Sequence, residues 1–179
     1  DPAQQSVFFG TSIEHIETGE LRSLRDKVTE KEIAAKTAEM NKEFEILPEC
    51  PKDEVRRAAR TASALDKLVE AKRLGSLAYY YEGTPGSEEE DLMTSVIAGN
   101  SLLTARHIPV AGECEVKNAQ AMKIMDAFGA GGSFSEFYAL DFNEEIILMG
   151  HDGPGHLAIA DGKPILKPLG VYHGKPGKG

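Results

Sequence analysis

The chain has 179 residues, 41% of them hydrophobic and 27% charged, and a formal net charge of −9. That length suits one domain, or one domain with part of another, and can bury a core without staples. The acidic balance argues against nucleic acid or anionic membrane as partner, because phosphate recognition needs a basic surface.

The chain opens at Asp1-Pro2-Ala3 without a methionine. Val7-Phe8-Phe9 reads as a short buried strand. Thr29 with Glu32 makes a capping box, and Ile33, Thr37, Met40 and Phe44 continue one helical face. A second helix is expected after Pro51, with Val55, Ala58, Ala62, Leu65 and Val69 on its apolar face. Lys72 and Arg73 fall in its last turn, and Gly75 is the expected stop. Leu77 to Tyr81 reads as a strand, closed by the turn Gly83-Thr84-Pro85-Gly86.

Ser87 and Glu90 form another capping box, opening a helix through Leu92, Val96 and Leu103. The acidic run Glu88 to Asp91 sits in its first turn, where carboxylates complement the helix dipole and need no metal. Ile108 to Ala111 is a short strand leading into Gly112-Glu113, and a helix from Glu115 to Phe128 is ended by Gly129.

Beyond this point the pattern changes to strands: Ser133 to Leu140, Ile146 to Met149, Leu157 to Ala160, and Ile165-Leu166 to Val171-Tyr172, separated by turns such as Asp152-Gly153 and Asp161-Gly162. Residues 1–130 therefore read as an α/β domain of three-layer type, with helices packed on a small sheet. Residues 131–179 read as the β-rich start of a second domain. The abrupt finish after an apolar run, in Gly174 to Gly179, suggests a piece of a longer protein.

Several motifs fail on context. Gly129-Ala130-Gly131-Gly132 resembles a dinucleotide loop, but it follows a helix and precedes a strand, the reverse of what phosphate binding needs. No Gly-x-Ser-x-Gly elbow is present. Cys50 and Cys114 are far apart and in no CxxC pattern, so both read as free thiols of a reducing compartment. Neither a membrane span nor a leader pattern is visible, and cytoplasm is the expected location.

The chemistry concentrates between residues 112 and 156. Glu113 follows a glycine at a strand-to-helix junction, where α/β sheets present working residues. Glu136 shares a strand face with Phe134 and Tyr138, so a carboxylate stands where an apolar residue is expected. Such a carboxylate is costly unless paired with a cation or metal. His151 ends the next strand, and His156 follows the Gly153-Pro154-Gly155 turn. These residues are either a shared metal site or a solvated strand edge with turn histidines.

Gly112-Glu113-Cys114-Glu115-Val116-Lys117-Asn118-Ala119, Gly132-Ser133-Phe134-Ser135-Glu136-Phe137-Tyr138 and Leu148-Met149-Gly150-His151 occur in that order. Together they resemble the L-fucose/L-arabinose isomerase superfamily. The likeness extends more loosely to Phe9-Gly10 through His15 and to Tyr79-Tyr80-Tyr81. It implies a central α/β domain followed by the first strands of an antiparallel β-barrel-like domain. It also implies a metal-dependent aldose–ketose isomerase, with Glu113 and Glu136 as acid/base carboxylates and metal ligands and His151 as a third ligand. Glu115 and His156 are the substitutes if the register differs.

The resemblance further implies Mn²⁺, or Mg²⁺ or Co²⁺ in its place, a sugar substrate and a homo-oligomer. Oxygen-rich ligation with one imidazole is in keeping with those ions rather than Zn²⁺. A further histidine ligand of such enzymes lies nearer their C-terminus and has no counterpart here. Two rivals stand beside this reading. One is a non-catalytic sugar-binding or regulatory relative; the other is a metal-binding β-domain of oxygenase or epimerase type, which needs at least two histidines.

Overall fold

The computed structural model describes residues 2–80, 84, 86–168, 171–172 and 175–176. Tyr81 of the expected strand, Gly83 and Pro85 of the turn after it, and Gly174 and Gly177 to Gly179 lie outside the described residues.

The chain begins with helix α1 (Pro2–Phe9), which corrects the strand expected at Val7-Phe8-Phe9. A three-residue apolar run carries no period that separates helix from strand, and these side chains are exposed rather than buried in a sheet. Helix α2 (Thr18–Asp26) follows. In α3 (Glu30–Glu43) the capping box forms as read: Thr29 Oγ1 accepts from the Glu32 N–H while the Glu32 carboxylate accepts from the Thr29 N–H. Strand β1 (Glu45–Ile46) had no signal in the sequence, because two residues cannot show a period.

Helix α4 (Lys52–Lys72) is the centre of the fold. Its expected face is buried or packed on the core, and so is the run Thr61 to Leu65, because α2, α3 and the later helix over Ile97–Ala105 pack against it. It stops at Arg73, which takes the left-handed conformation (φ 52°), two residues before the glycine expected to end it. Lys36 is buried at this junction, paired with Asp66 at 2.6 Å and with Glu39.

Strand β2 (Leu77–Ala78) leads to α5 (Glu88–Met93) and α6 (Ile97–Ala105). The sequence predicted one helix here. The chain breaks at Thr94 and Ser95, whose hydroxyls donate to the Glu90 and Leu92 carbonyls at 2.8 and 2.7 Å and compete with the helical ladder. The Ser95 hydroxyl also lies 2.7 Å from Thr61 Oγ1, which ties the break to α4. Only half of the second capping box forms, since Glu90 accepts from the Gly86 N–H rather than from Ser87.

Strand β3 (Val110–Ala111) pairs parallel with β2, Leu77 opposite Val110 and Ala78 opposite Ala111. Helix α7 (Val116–Ala127) packs on this pair and ends before Gly129 (φ 76°), as read. Strands β4 (Glu136–Asp141) and β5 (Ile146–Gly150) form an antiparallel hairpin. Asp141 Oδ1 accepts from the Asn143 and Glu144 N–H groups at its tip.

The strand expected at Leu157–Ala160 is instead a 3₁₀ turn (Leu157–Ile159), capped by His156 Nδ1 accepting from the Ala158 N–H. Strand β6 (Ile165–Leu166) pairs parallel with β1, where the sequence suggested one continuing antiparallel series. Strands β7 (Val171–Tyr172) and β8 (Lys175–Pro176) pair antiparallel.

The architecture is mixed α/β, with four separate two-stranded sheets among the described residues and no barrel among them. The main core joins α2, α3, α4, α5, α6 and β3 through Leu21, Met40, Leu65, Leu92, Leu103 and Val110. A smaller cluster of Ala111, Ala119, Met122 and Phe134 lies between β3, α7 and the approach to β4. No helix among the described residues is long and apolar enough to cross a membrane.

Candidate functional site

The parallel β2–β3 pair delivers Gly112 and Glu113 to its C-terminal edge. There the chain turns through two consecutive left-handed residues, Glu113 (φ 55°) and Cys114 (φ 53°), neither of them glycine. Such a conformation costs about 1–2 kcal/mol per residue, and strain of this kind collects at functional positions. The turn is held by the Cys114 N–H donating to the Tyr79 carbonyl and the Glu115 N–H donating to the Gly112 carbonyl, both at 2.9 Å. Nothing in the sequence signalled this geometry, because no glycine or asparagine marks it.

Desolvation pushes the Cys114 thiol up, and the neighbouring Glu113 charge adds to the shift. A thiol held protonated is a poor nucleophile, in keeping with the absence of a hydrolase motif.

The hairpin supplies the other two predicted residues. Glu136 stands opposite Gly150, so His151 follows directly beside it. His151 Nδ1 and Glu136 Oε2 are 2.9 Å apart. An ionised carboxylate can only accept, which makes Nδ1 the donor of this bond. The His151 side chain is 11% exposed and Glu136 36% exposed. Nε2 is buried and has no hydrogen-bond partner among the described residues. The carboxylate is both paired with an imidazole and partly solvated, and it shares no apolar strand face with Phe134, which precedes β4 and is buried while Tyr138 is exposed.

The imidazole is boxed in. The Phe134 ring, itself 4% exposed, stands edge to face with it at a centroid distance of 4.6 Å. A Cβ on Gly112 would lie 3.3 Å from His151 Cε1 and 3.2 Å from Phe134 Cε1. The backbone that precedes Glu113 therefore rests against His151. Among the described residues, however, no group of three or more His, Cys, Asp or Glu is arranged to hold a metal ion. The structure brings Glu136 and His151 into contact and places the Gly112 backbone beside them. As placed, the carboxylate on Nδ1 and the Nε2 atom lie on opposite sides of the ring, and the Gly153 backbone packs against Nε2.

The loop after His151 is anchored to the rest of the fold. The Gly155 N–H donates to Ser101 Oγ of α6 at 3.1 Å, and the His156 N–H donates to Ser133 Oγ at 3.2 Å. His156 Nδ1 is occupied by the Ala158 N–H, which makes that residue a cap rather than a ready ligand. Glu115, the other substitute, is exposed at the start of α7. Sequence reasoning missed Tyr138, whose phenol is pushed up by desolvation and by the Asp152 and Glu136 charges beside it. A cavity of about 240 Å³ opens on the far side of the loop, lined by Asp152, Gly153, Val55, Arg57, Ser95 and Leu166 among others.

No protein-family model matches the chain. It is similar to an L-arabinose isomerase from Clostridium beijerinckii (strain ATCC 51743 / NCIMB 8052), 27% identical over 183 aligned residues. The alignment covers 96% of this chain and 35% of that relative, so the chain spans about a third of the relative's length. The likeness is distant and partial, and it is to an enzyme named for isomerising a sugar.

Proposed function

We propose that this chain is part of an aldose–ketose sugar isomerase, with Glu113, Glu136 and His151 at its acid–base centre. The observation that supports the reading most is the Glu136–His151 pair, which leaves a buried imidazole nitrogen without a partner among the described residues, beside the backbone that bears Glu113.

Moving a carbonyl between C1 and C2 of a sugar takes a proton from one carbon and returns it to its neighbour, through an enediolate. A divalent cation such as Mn²⁺, Mg²⁺ or Co²⁺, held by Glu113, Glu136 and His151, would supply polarisation of the sugar carbonyl. Glu113 and Glu136 divide the proton transfers at carbon and at hydroxyl between them. For both residues to hold one ion the Glu136–His151 hydrogen bond must open, because the carboxylate on Nδ1 lies on the far side of the ring from Nε2.

In this reading further donors come from polypeptide outside these 179 residues. So does the cover for the β4–β5 hairpin, where Phe137, Tyr138, Leu140, Ile146, Ile147 and Leu148 are exposed on both faces. A two-stranded hairpin is marginal alone, and the added strands would complete the β-barrel-like domain. A homo-oligomer and a reducing cytoplasmic setting belong to the same proposal, with no role for nucleic acid or membrane.

A non-catalytic sugar-binding relative is favoured by one observation, the lack of a three-donor cluster among the described residues. Isomerase assays on a polypeptide of the relative's length that carries this chain separate the two. The enzyme reading expects conversion of L-arabinose or another aldose that disappears with a chelator and returns with Mn²⁺. Sugar binding with no turnover under Mn²⁺ would leave only the binding role.

A further inference from the structure

Phe134 is buried in the small core of Ala111, Ala119 and Met122, yet its ring also stands edge to face with His151. It joins the β3–α7 unit to His151, whose Nε2 has no hydrogen-bond partner among the described residues. Two glycines complete the surroundings. Gly112 leaves space for both rings on one side. At Gly153 a Cβ would fall closer to His151 Nε2 than side chains ever pack.

We propose that Phe134 is a positioning residue, and that with the clearances at Gly112 and Gly153 it locks the imidazole of His151 in the one orientation in which Nδ1 faces Glu136. The physical basis is packing. A ring with one nitrogen bonded to a carboxylate can still rotate about χ2 unless its faces are blocked. Edge-to-face aromatic contact adds a preferred geometry to that block. Phe134 therefore transmits the placement of β3 and α7, and with it the Gly112–Glu113 turn, to the nitrogen on the hairpin. A shift of α7 would move Phe134 and free the imidazole. This rests on the functional role proposed for His151, but the lock itself is a property of the chain alone.

The test is heteronuclear NMR of the 179-residue protein with ¹⁵N-labelled histidine, read at about pH 8, where an ordinary imidazole is neutral. His151→Gln identifies the resonances. The expected result for the parent chain is two widely separated ring nitrogens for His151, with the proton on Nδ1. Phe134→Leu, folded by circular dichroism, should draw the two shifts toward their average as the ring samples both tautomers. Gly153→Ala leaves the small core untouched and should do the same by displacing the ring, so it carries the test if Phe134→Leu fails to fold. Phe137→Leu, on an exposed strand position, should leave the pattern unchanged. A folded Phe134→Leu or Gly153→Ala protein that keeps the parent pattern overturns the proposal. This outcome is independent of metal and of turnover, so it stands apart from any failure of the isomerase reading.

Discussion

His151 Nδ1 lies 2.9 Å from Glu136 Oε2, and the two residues come together because Glu136 opens β4 directly opposite Gly150, the last residue of β5. The register of one hairpin therefore sets the pair. A slip of one residue would turn Glu136 to the other face and separate them. Gly150 contributes by lacking a side chain, since a Cβ there would lie 2.6 Å from the Tyr138 ring.

If this pair belongs to a metal site, its loss should show first in affinity. In the longer protein, His151→Ala and Glu136→Gln should each weaken Mn²⁺ binding by at least the roughly 10- to 100-fold that loss of an orienting partner alone costs. Electron paramagnetic resonance titration of free Mn²⁺ measures this. Unchanged affinity in both variants would remove His151 and Glu136 from the site.

The contact between α4 and α6 yields a stability prediction in which two effects oppose. Replacing Gly99 by alanine gains about 1 kcal/mol of helix propensity. The new Cβ, however, would lie 2.9 Å from Ala62 Cα and 2.8 Å from Leu65 Cδ1. Overpacking against backbone costs about 1–3 kcal/mol, and α4 is also packed against α2 and α3, which resists its displacement. Gly99→Ala should therefore lower the urea midpoint. A raised midpoint would mean that the two helices are free to separate.

Acid sensitivity should trace in part to the α3 cap. Hydrogen bonds from Lys67 and from Thr29 lower the Glu32 pKa to about 2. A carboxylate depressed in the folded state adds stability above its unfolded pKa, about 4.3. That stability is lost as pH falls through the folded value. The stability difference between the parent chain and Glu32→Gln should thus be constant above about pH 5 and shrink between there and pH 2. Chemical denaturation at several pH values checks it, and a difference that grows on acidification would reverse the sign.

The 179-residue chain alone should show little or no isomerase activity. It spans about a third of the L-arabinose isomerase it resembles, and its described residues assemble no three-donor cluster. Turnover near that of the longer protein would show that the donors are complete here.

Much of the helical framework was legible because its signals are local. The Thr29–Glu32 cap, the Pro51 start of α4 and the Gly129 stop of α7 each act within one turn of chain. The failures were non-local or too short for a period. The β1–β6 pairing joins two-residue strands 120 positions apart in register, Glu45 opposite Ile165. The break at Thr94–Ser95 depends on hydroxyls reaching backbone carbonyls. In the site, Glu136 was legible as a carboxylate in want of a partner, and in the structure that partner is His151. Phe134 and Gly153 were not, since a core phenylalanine and a turn glycine look the same whether or not a histidine rests on them.

The most direct test of the proposed centre compares three glutamine variants of the longer protein at saturating Mn²⁺. Glutamine keeps the size of glutamate but cannot accept the proton. Glu113→Gln and Glu136→Gln should each lose about a hundred- to ten-thousand-fold in turnover, the range of general acid–base assistance. Glu115→Gln, exposed at the start of α7, should retain near-normal turnover. A severe defect at Glu115 beside near-normal turnover at Glu113 would contradict the account.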